Sequence, residues 1–577
     1  MIKRLWNHLT KHRRKQFLLL SFLMIIASVM EIISIGSVVP FLGALTNPEN
    51  IYNNDLAQPL ILILNITEPK QLLLPLTIFF VTATLISALI RLLLLYTITR
   101  FSFATGADLS IDIYRRTLYQ DYSTHLSRNS SEVINGIITK TNLVISKIIV
   151  PILNFISSFV IMIGIIVIIF TINASIAIIS FVVFGIFYLI IASLTKKTLQ
   201  KNSQLISNQS NQMVKSLQEG LGGIRDVLID GAQEFYCKLY RDADLSFRRA
   251  SGDNVFIASC PRYVMEGIGM ILIAILAYGL TLQGGISSAF PVLGALAVGA
   301  QKLLPALQQL FSSYSLIKGG SKPFSDVLDL LDQPLPSVFD RSLIKPIPFN
   351  SDIAFKNVSF QYSIDTPLIL KNVELKFKKG EKIGLMGVTG SGKSTLLDIL
   401  MGLLIPTSGK LLIDGKEITN ENRKNWQTHI SHVPQNIFLA DGTIQENIAF
   451  GVSKNRVKKS KIIQAAKQAK IAETISTLKD EYRSIVGEQG VQLSGGQRQR
   501  IGIARALYKD SNVIIFDEAT SALDNETEED IMQQIDQLHD DKTIFIIAHR
   551  LTTLKNCDRI IRLNKNFKIE EIDYKLL

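Results

Sequence analysis

Six runs of mostly apolar residues precede residue 320, each long enough to cross a bilayer, and they require the first half of this chain to fold as helices in lipid. A helix crossing the roughly 30 Å hydrocarbon core needs about 20 such residues. The runs fall near Phe17–Leu45, Leu72–Tyr96, Ile148–Phe170, Ile172–Leu194, Tyr263–Leu282 and Phe290–Leu316. Only a few residues around Thr171 separate the third from the fourth, which predicts a hairpin with a short outer turn. The fifth and sixth repeat that arrangement.

Basic residues set the expected orientation. Lys3, Arg4, Lys11, Arg13, Arg14 and Lys15 precede the first run. With six crossings, Arg115, Arg116, Lys196, Lys197, Lys201, Arg248, Arg249, Lys318 and Lys322 fall on the same side, against Lys70 alone on the other. Both termini are therefore expected in the cytoplasm of a bacterial inner-membrane, multi-pass protein. The first run is about twice the length of a signal-peptide core and lacks a small-x-small cleavage site, so a retained span is expected. The formal charge of +12 follows from this sidedness, and no base-stacking platform points to nucleic acid. Cys237, Cys260 and Cys557 are odd in number and lie on the cytoplasmic side, which argues against disulfides. Asn65-Ile66-Thr67 has the form of a glycosylation acceptor, a chance match in a chain that looks bacterial.

Composition changes where Gln333-Pro-Leu-Pro336 and Lys345-Pro-Ile-Pro348 punctuate a polar stretch. The expected division is a six-span transmembrane domain over 1–330, a linker over 331–350 and an α/β nucleotide-binding domain over 351–577. In the last, Ile353–Phe360 and Val373–Lys378 alternate as half-exposed strands do, while Lys382–Met386 and Val513–Phe516 read as buried strands. The fold class is thus an α-helical membrane domain joined to an α/β P-loop domain.

The chemistry resides in Gly387-Val-Thr-Gly390-Ser391-Gly392-Lys393-Ser394, with Thr395 next. Gly387, Gly390 and Gly392 let successive N–H groups turn toward phosphate oxygens, and the helix that follows aims its positive end there. Lys393 reaches the β and γ phosphates of ATP. Ser394 is placed for Mg²⁺, as is Asp517 at the end of the apolar strand. Glu518 beside it is the candidate base or polariser of the attacking water. Leu493-Ser494-Gly495-Gly496-Gln497 lies between these elements.

On these motifs residues 350–560 resemble the nucleotide-binding domain of the ABC superfamily, and nearly the whole chain resembles bacterial ABC exporters of the half-transporter type. The resemblance implies adenine stacking by Tyr362, Mg²⁺ sensing and coupling by Gln435, and γ-phosphate contact by His549. It makes Ser521–Asp524 the loop that crosses a dimer interface and Val486–Gly490 the segment before the signature. No catalytic position departs from the pattern. One chain supplying every part implies a homodimer with composite ATP sites, in which Ser494 and Gly496 face the γ phosphate held by the partner's loop. The C-terminus does depart: the family's Gly-rich turn and last helix give way to Arg562–Glu571 and an end at Leu577.

The polar, helix-compatible stretches Phe103–Ser146 and Lys196–Cys260 look like that family's cytoplasmic helical pairs, with coupling helices expected near Tyr119–Thr124 and Asp226–Glu234. Charges inside the spans are few. Glu31 and Lys302 fall near mid-membrane, and Arg91 and Arg262 nearer the cytoplasmic leaflet. Two readings stay open: Glu31 pairs with Lys302 or another partner while the arginines snorkel, or the basic residues line a cavity for an anionic headgroup. Met30–Gly36 through Pro40, and Pro261–Glu266, look similar to bacterial flippases for lipid-linked oligosaccharides. That resemblance implies ATP-driven flipping of a polyprenyl-pyrophosphate oligosaccharide or related anionic glycolipid among membrane lipids. Export of peptides, drugs or lipid A-like lipids remains as an alternative, and a cargo-free membrane sensor as a lesser one. An importer is disfavoured because importers place the two domains on separate chains.

Overall fold

The structure, a computed structural model, describes residues 1–46, 48–53, 58–63, 66–172, 174–335, 344–520, 523–537, 541–548, 550–564 and 568–574. Side chains of 279–302, and of a few shorter stretches within helices, lie outside that description. The chain divides into two compact units: Met1–Gln120 with Ser127–Leu335, and Asp121–Leu126 with Pro336–Leu577.

The first unit is helical. Lys11–Gly36 starts at Thr10, whose side chain accepts from the Arg13 N–H, an N-cap of the usual kind. It breaks at Ser37, whose hydroxyl turns back to the Ser34 carbonyl at 2.7 Å; Val38–Thr46 continues with Pro40 in its first turn, where no N–H is needed. Leu73–Leu118 and Ala174–Gly222 run 46 and 49 residues, about 70 Å each, far beyond a bilayer core. Both continue past their apolar parts into the polar, helix-compatible stretches Phe103–Ser146 and Lys196–Cys260. Among the described residues four helical segments are long and apolar enough to cross a membrane: Lys11–Leu45, Pro69–Leu118, Ser130–Val167 and Val182–Gly222.

The fifth and sixth runs fall within the helical range Gln233–Gly319, 87 residues long. Gln308 Nε2 donates to the Ala258 carbonyl at 2.9 Å, although 50 residues on a straight helix would separate them by about 75 Å. The chain therefore reverses between these positions, and the two arms lie antiparallel. Met265 on one arm shares a buried cluster with Leu303 and Ala306 on the other.

Polar ties order the lower end of this unit. Arg4 binds Asp329 at 2.8 Å, His8 binds Asp332 at 2.7 Å, and Arg13 binds Asp108 at 2.8 Å. Lys140, only 4% exposed, meets Asp326 at 2.5 Å; Lys322 and the Ser207 hydroxyl satisfy the same carboxylate. Burial of Asp326 favours its neutral form, yet these donors outweigh it and hold the carboxyl below its ordinary range.

The second unit contains two sheets. β1 (Asp352–Phe360), β2 (Leu370–Lys378), β4 (Ser408–Ile413) and β5 (Lys416–Glu417) form an antiparallel sheet in the order β2-β1-β4-β5. β3 (Lys382–Gly387), β6 (Ile430–Val433), β7 (Val513–Asp517), β8 (Thr543–Ile547), β9 (Arg559–Leu563) and β10 (Ile569–Ile572) form the other in the order β10-β9-β3-β8-β7-β6. Its first five strands in sequence are parallel, and β10 returns antiparallel on β9. The short apolar runs at β3 and β7 are buried as expected. β1 departs from the expected alternation: Ile353, Ala354 and Phe355 are all buried, and so are Val358, Ser359 and Phe360. It lies between β2 and β4, and a bulge at Asn357 (φ 51°) resets its faces midway.

Candidate functional site

The nucleotide motifs converge because each lies just past the C-terminal end of a parallel strand in one sheet. The phosphate loop leaves β3, Gln435 follows β6 and Asp517-Glu518 end β7. The ends of neighbouring parallel strands form one edge, the place where open α/β sheets bind ligands. Glu518 sits at φ 49°, its N–H held by the Ile547 carbonyl of β8 at 3.0 Å, and its carboxylate accepts from Gln435 Nε2 at 2.6 Å. Residues 435 and 518 are thus brought into direct contact. His549, two positions past β8, and Ser521-Ala522 lie outside the described residues.

The loop fits a polyphosphate. A Cβ on Gly387 would stand 2.3 Å from the Leu563 carbonyl oxygen, and one on Gly392 (φ 92°) 2.9 Å from Leu370. Only glycine permits this closeness and turn. Gly390, at φ 82°, has open space around it, and the buried Ser391 hydroxyl has no hydrogen-bond partner among the described residues. Lys393 begins the helix Lys393–Leu400 and donates to the Gly387 and Val388 carbonyls at 2.6 and 3.2 Å. Burial lowers its pKa against the opposing pull of Glu518 and Asp517. Burial, then the Glu518 charge, raises Asp517 despite Lys393. Ser394 is exposed at the helix start, where Mg²⁺ would be held with Asp517. Thr395 is buried and bonds the Tyr362 hydroxyl at 3.2 Å. Tyr362 packs edge-on against Phe360 at 5.1 Å with half its surface free, a ring with an open face for a base.

Ser494 caps the helix Gly495–Lys509: its hydroxyl accepts from the Gln497 N–H at 3.2 Å, and the Gln497 side chain accepts from the Ser494 N–H at 2.9 Å. The signature is therefore a capping box whose Gly495 and Gly496 leave the first turn bare for an anion. Asp524 likewise caps Asn525–Asp536 by accepting from the Thr527 N–H and hydroxyl.

Two carboxylates escaped the sequence reading. Glu528, 4% exposed, accepts from Thr520 and Thr553 hydroxyls at 2.9 and 2.6 Å and from Arg550 at 2.6 Å. It ties the segment after Glu518 to the segment after position 549. Its one sequence signal was an acidic residue four past the capping Asp524, on the face that Ile531 and Ile535 bury. Asp398, on the phosphate-loop helix, is pushed up to about 6 by burial and by Asp517.

Near the first expected coupling position lies the helix Tyr122–Ser127, about three residues beyond Tyr119–Thr124, since Tyr119 still caps the long helix before it. Asp121–Leu126 belongs to the second unit, and Asp121 forms an ion pair with Arg423 there. Near the second lies the helix Ile224–Ile229, which is ended by a turn at Gly231 (φ 64°) and so begins two residues early.

In the first unit Glu31 is 3% exposed; it accepts from Ser87 at 2.7 Å and Arg91 at 3.2 Å. Arg262 pairs with Glu266 one turn on, at 2.8 Å. The Lys302 side chain lies outside the described residues.

A unit of membrane-length helices followed by a P-loop unit carrying a signature helix defines an ABC exporter half-transporter. Residues 16–289 match the ABC transporter transmembrane region family and residues 370–521 the ABC transporter family, so the chain carries both the membrane-spanning domain and the ATP-hydrolysing domain of that class, which uses ATP with Mg²⁺. A bacterial Atm1-family ABC exporter with ATP bound shares the fold at a TM-score of 0.79, with 23% identity over 96% of this chain and 94% of that one. Similar relatives include the leukotoxin translocation ATP-binding protein LktB of Mannheimia glucosida, 46% identical over 244 residues (42% of this chain, 34% of the relative). The alpha-hemolysin translocation ATP-binding protein HlyB of Proteus vulgaris is 44% identical over 250 residues (43% and 35%). The matches span about a third of the length of these relatives.

Proposed function

We propose that this chain is one half of a homodimeric, ATP-driven exporter of the bacterial inner membrane, with both termini in the cytoplasm, that moves an anionic amphipathic lipid. The 2.6 Å contact between Gln435 and Glu518, at the strand edge that also carries the phosphate loop, is the observation that carries the ATPase half of this reading. In the proposed cycle Tyr362 stacks on adenine, and the N–H groups of Gly390, Ser391 and Gly392 turn to the phosphates. Lys393 exchanges its carbonyl partners for phosphate oxygens. Mg²⁺ supplies charge neutralisation at the β and γ phosphates when bound. Glu518 orients the attacking water and accepts its proton, Gln435 reports the loaded state, and His549 contacts the γ phosphate. The bare helix start at Ser494–Gln497 closes on the partner's loop, so ATP holds the two halves together and hydrolysis releases them.

For the cargo we favour a polyprenyl-pyrophosphate oligosaccharide or related anionic glycolipid. Support comes from the likeness of Met30–Pro40 and Pro261–Glu266 to flippases of that class and from Arg91 and Arg262 beside the spans, with Lys302 as a further candidate. Protein or peptide export is the second reading, favoured by the toxin-translocation names of LktB and HlyB. ATPase activity in lipid nanodiscs separates them. Stimulation by a polyprenyl-pyrophosphate sugar, lost when Arg91, Arg262 and Lys302 are all neutralised, supports the lipid. Stimulation by unfolded polypeptide alone overturns it.

A further inference from the structure

We propose that the groove between the helices Lys11–Gly36 and Leu73–Leu118 binds an anionic phospholipid, its phosphate on Arg100 and one acyl chain along Leu19, Leu20 and Leu23. The groove has a volume of about 400 Å³ and is divided by chemistry: Arg13, Gln16 and Arg100 occupy one end, and the leucines continue from it along the first helix. The charge balance at the polar end is uneven. Arg13 is neutralised by Asp108 at 2.8 Å and also bonds Gln16 at 2.7 Å. The Arg100 guanidinium lies over the Tyr96 ring at 5.5 Å and has no carboxylate partner among the described residues. One uncompensated cation therefore faces the groove. Lys11 and Lys15 on the helix Lys11–Gly36 add to the positive field.

A free phosphate would satisfy Arg100 but not the apolar remainder of the groove. Leu19 in its wall is 71% exposed, Leu20 forms its buried floor, and Leu18 and Phe22 beside it on the same helix are 64% and 62% exposed, as side chains facing hydrocarbon are. A lipid satisfies both parts, and basic pockets between spans at the membrane surface select anionic headgroups in this way. The inference rests on the reading that these helices cross a membrane with their basic ends at the headgroups. Lipid occupancy is measured without turnover, so a failure of transport and a failure of this site remain separate results.

The chain supplies its own probe. Of its two tryptophans, Trp426 is fully buried in the second unit, while Trp6 packs on Phe17 at 5.4 Å, and Phe17 lies 6.3 Å from Phe101 in the groove wall. The full chain is placed in phosphatidylcholine nanodiscs containing a small fraction of either brominated phosphatidylglycerol or brominated phosphatidylcholine, and Trp6 quenching is titrated. The anionic lipid is expected to quench at about fivefold lower mole fraction, the preference one surface guanidinium confers. Arg100→Gln should abolish that preference, Arg100→Lys should keep part of it, and Arg249→Gln, outside the groove, should leave it intact. Equal quenching by the two lipids, or a preference that survives Arg100→Gln, overturns the site. Loss of the preference in millimolar inorganic phosphate overturns the acyl-chain component and leaves a phosphate site.

Discussion

Glu528→Ala is the substitution whose effect the structure defines most sharply. The carboxylate is 4% exposed and accepts three bonds of 2.6 to 2.9 Å, from Thr520, Thr553 and Arg550. A hydrogen bond to a charged group contributes about 1.5 to 3 kcal/mol, and removing one partner of a buried pair costs about 3 to 5 kcal/mol. The Arg550 side chain is 44% exposed and can rehydrate, so its share is discounted; the two hydroxyls stay buried without their acceptor. The net expectation is a loss of about 3 kcal/mol, or about 6 to 12 °C in the unfolding midpoint of a domain this size. Glu528→Gln keeps an acceptor for both hydroxyls and should cost about half as much. Unfolding of the full chain without nucleotide, followed through Trp426, measures the loss, and the exposed neighbour variant Glu526→Ala is the reference. A midpoint for Glu528→Ala equal to that of Glu526→Ala would refute the reasoning. The same variant should lower ATP turnover more than ATP binding, because it loosens the segments on either side of the Glu518 contact.

Glu518→Gln should retain ATP binding while hydrolysis falls by about two orders of magnitude or more; unchanged turnover in a single-turnover assay removes it as the base. Gly387→Ala places a methyl 2.3 Å from a backbone oxygen of β9, so nucleotide binding and thermal stability should both drop, and an intact affinity in a nucleotide titration would contradict this. Burial alone would raise the Asp414 carboxyl, but the N–H groups of Asn350, Asp352 and Ser351 outweigh it and hold the pKa below the ordinary value. A depressed folded pKa gives stability that is present above the unfolded pKa and fades as pH falls through the folded one. Asp414→Asn should therefore cost stability at neutral pH and converge on wild type below about pH 4, as chemical denaturation at several pH values would reveal. Glu31→Gln should release Arg91 and lower the concentration of anionic lipid needed for half-maximal ATPase stimulation several-fold; an unchanged concentration argues against Arg91 as a headgroup contact.

The phosphate loop, the signature and the strand ending in Asp517-Glu518 were legible because their chemistry demands particular residues at fixed local spacing. Glycine at Gly387 and Gly392 answers a backbone geometry, and a neighbourhood of a few residues is enough to reveal it. Glu528 was hidden because its meaning depends on Thr520 and Thr553, 8 and 25 residues away, brought together by packing of a helix against two loops. The alternation of β1 misled because its bulge at Asn357 arises from pairing with two different strands. Periodicity gave the hydrophobic runs and their hairpins but no neighbours in space, so Arg91 could not be named as a partner of Glu31, and the pairing with Lys302 falls on a side chain outside the described residues. The two short helices lie two or three residues from their expected positions because turns at Tyr119 and Gly231 set their ends.

Pairing within the spans bears on what a cargo must do. Arg91 is held by Glu31, a carboxylate too buried to be hydrated on its own, and Arg262 is held by Glu266 on the same helix. An anionic headgroup that displaces the carboxylate from either guanidinium leaves that carboxylate to be satisfied elsewhere. For the exposed Arg262–Glu266 pair that exchange is cheap, since both side chains are about half in solvent or more. For Glu31 it costs more, because its carboxylate is 3% exposed and would lose the Arg91 guanidinium as a donor. Displacing Glu31 from Arg91 is therefore favoured in a conformation that hydrates Glu31, such as one with the helices Lys11–Gly36 and Leu73–Leu118 parted. On this argument Arg262 exchanges its carboxylate for a headgroup more cheaply than Arg91 does.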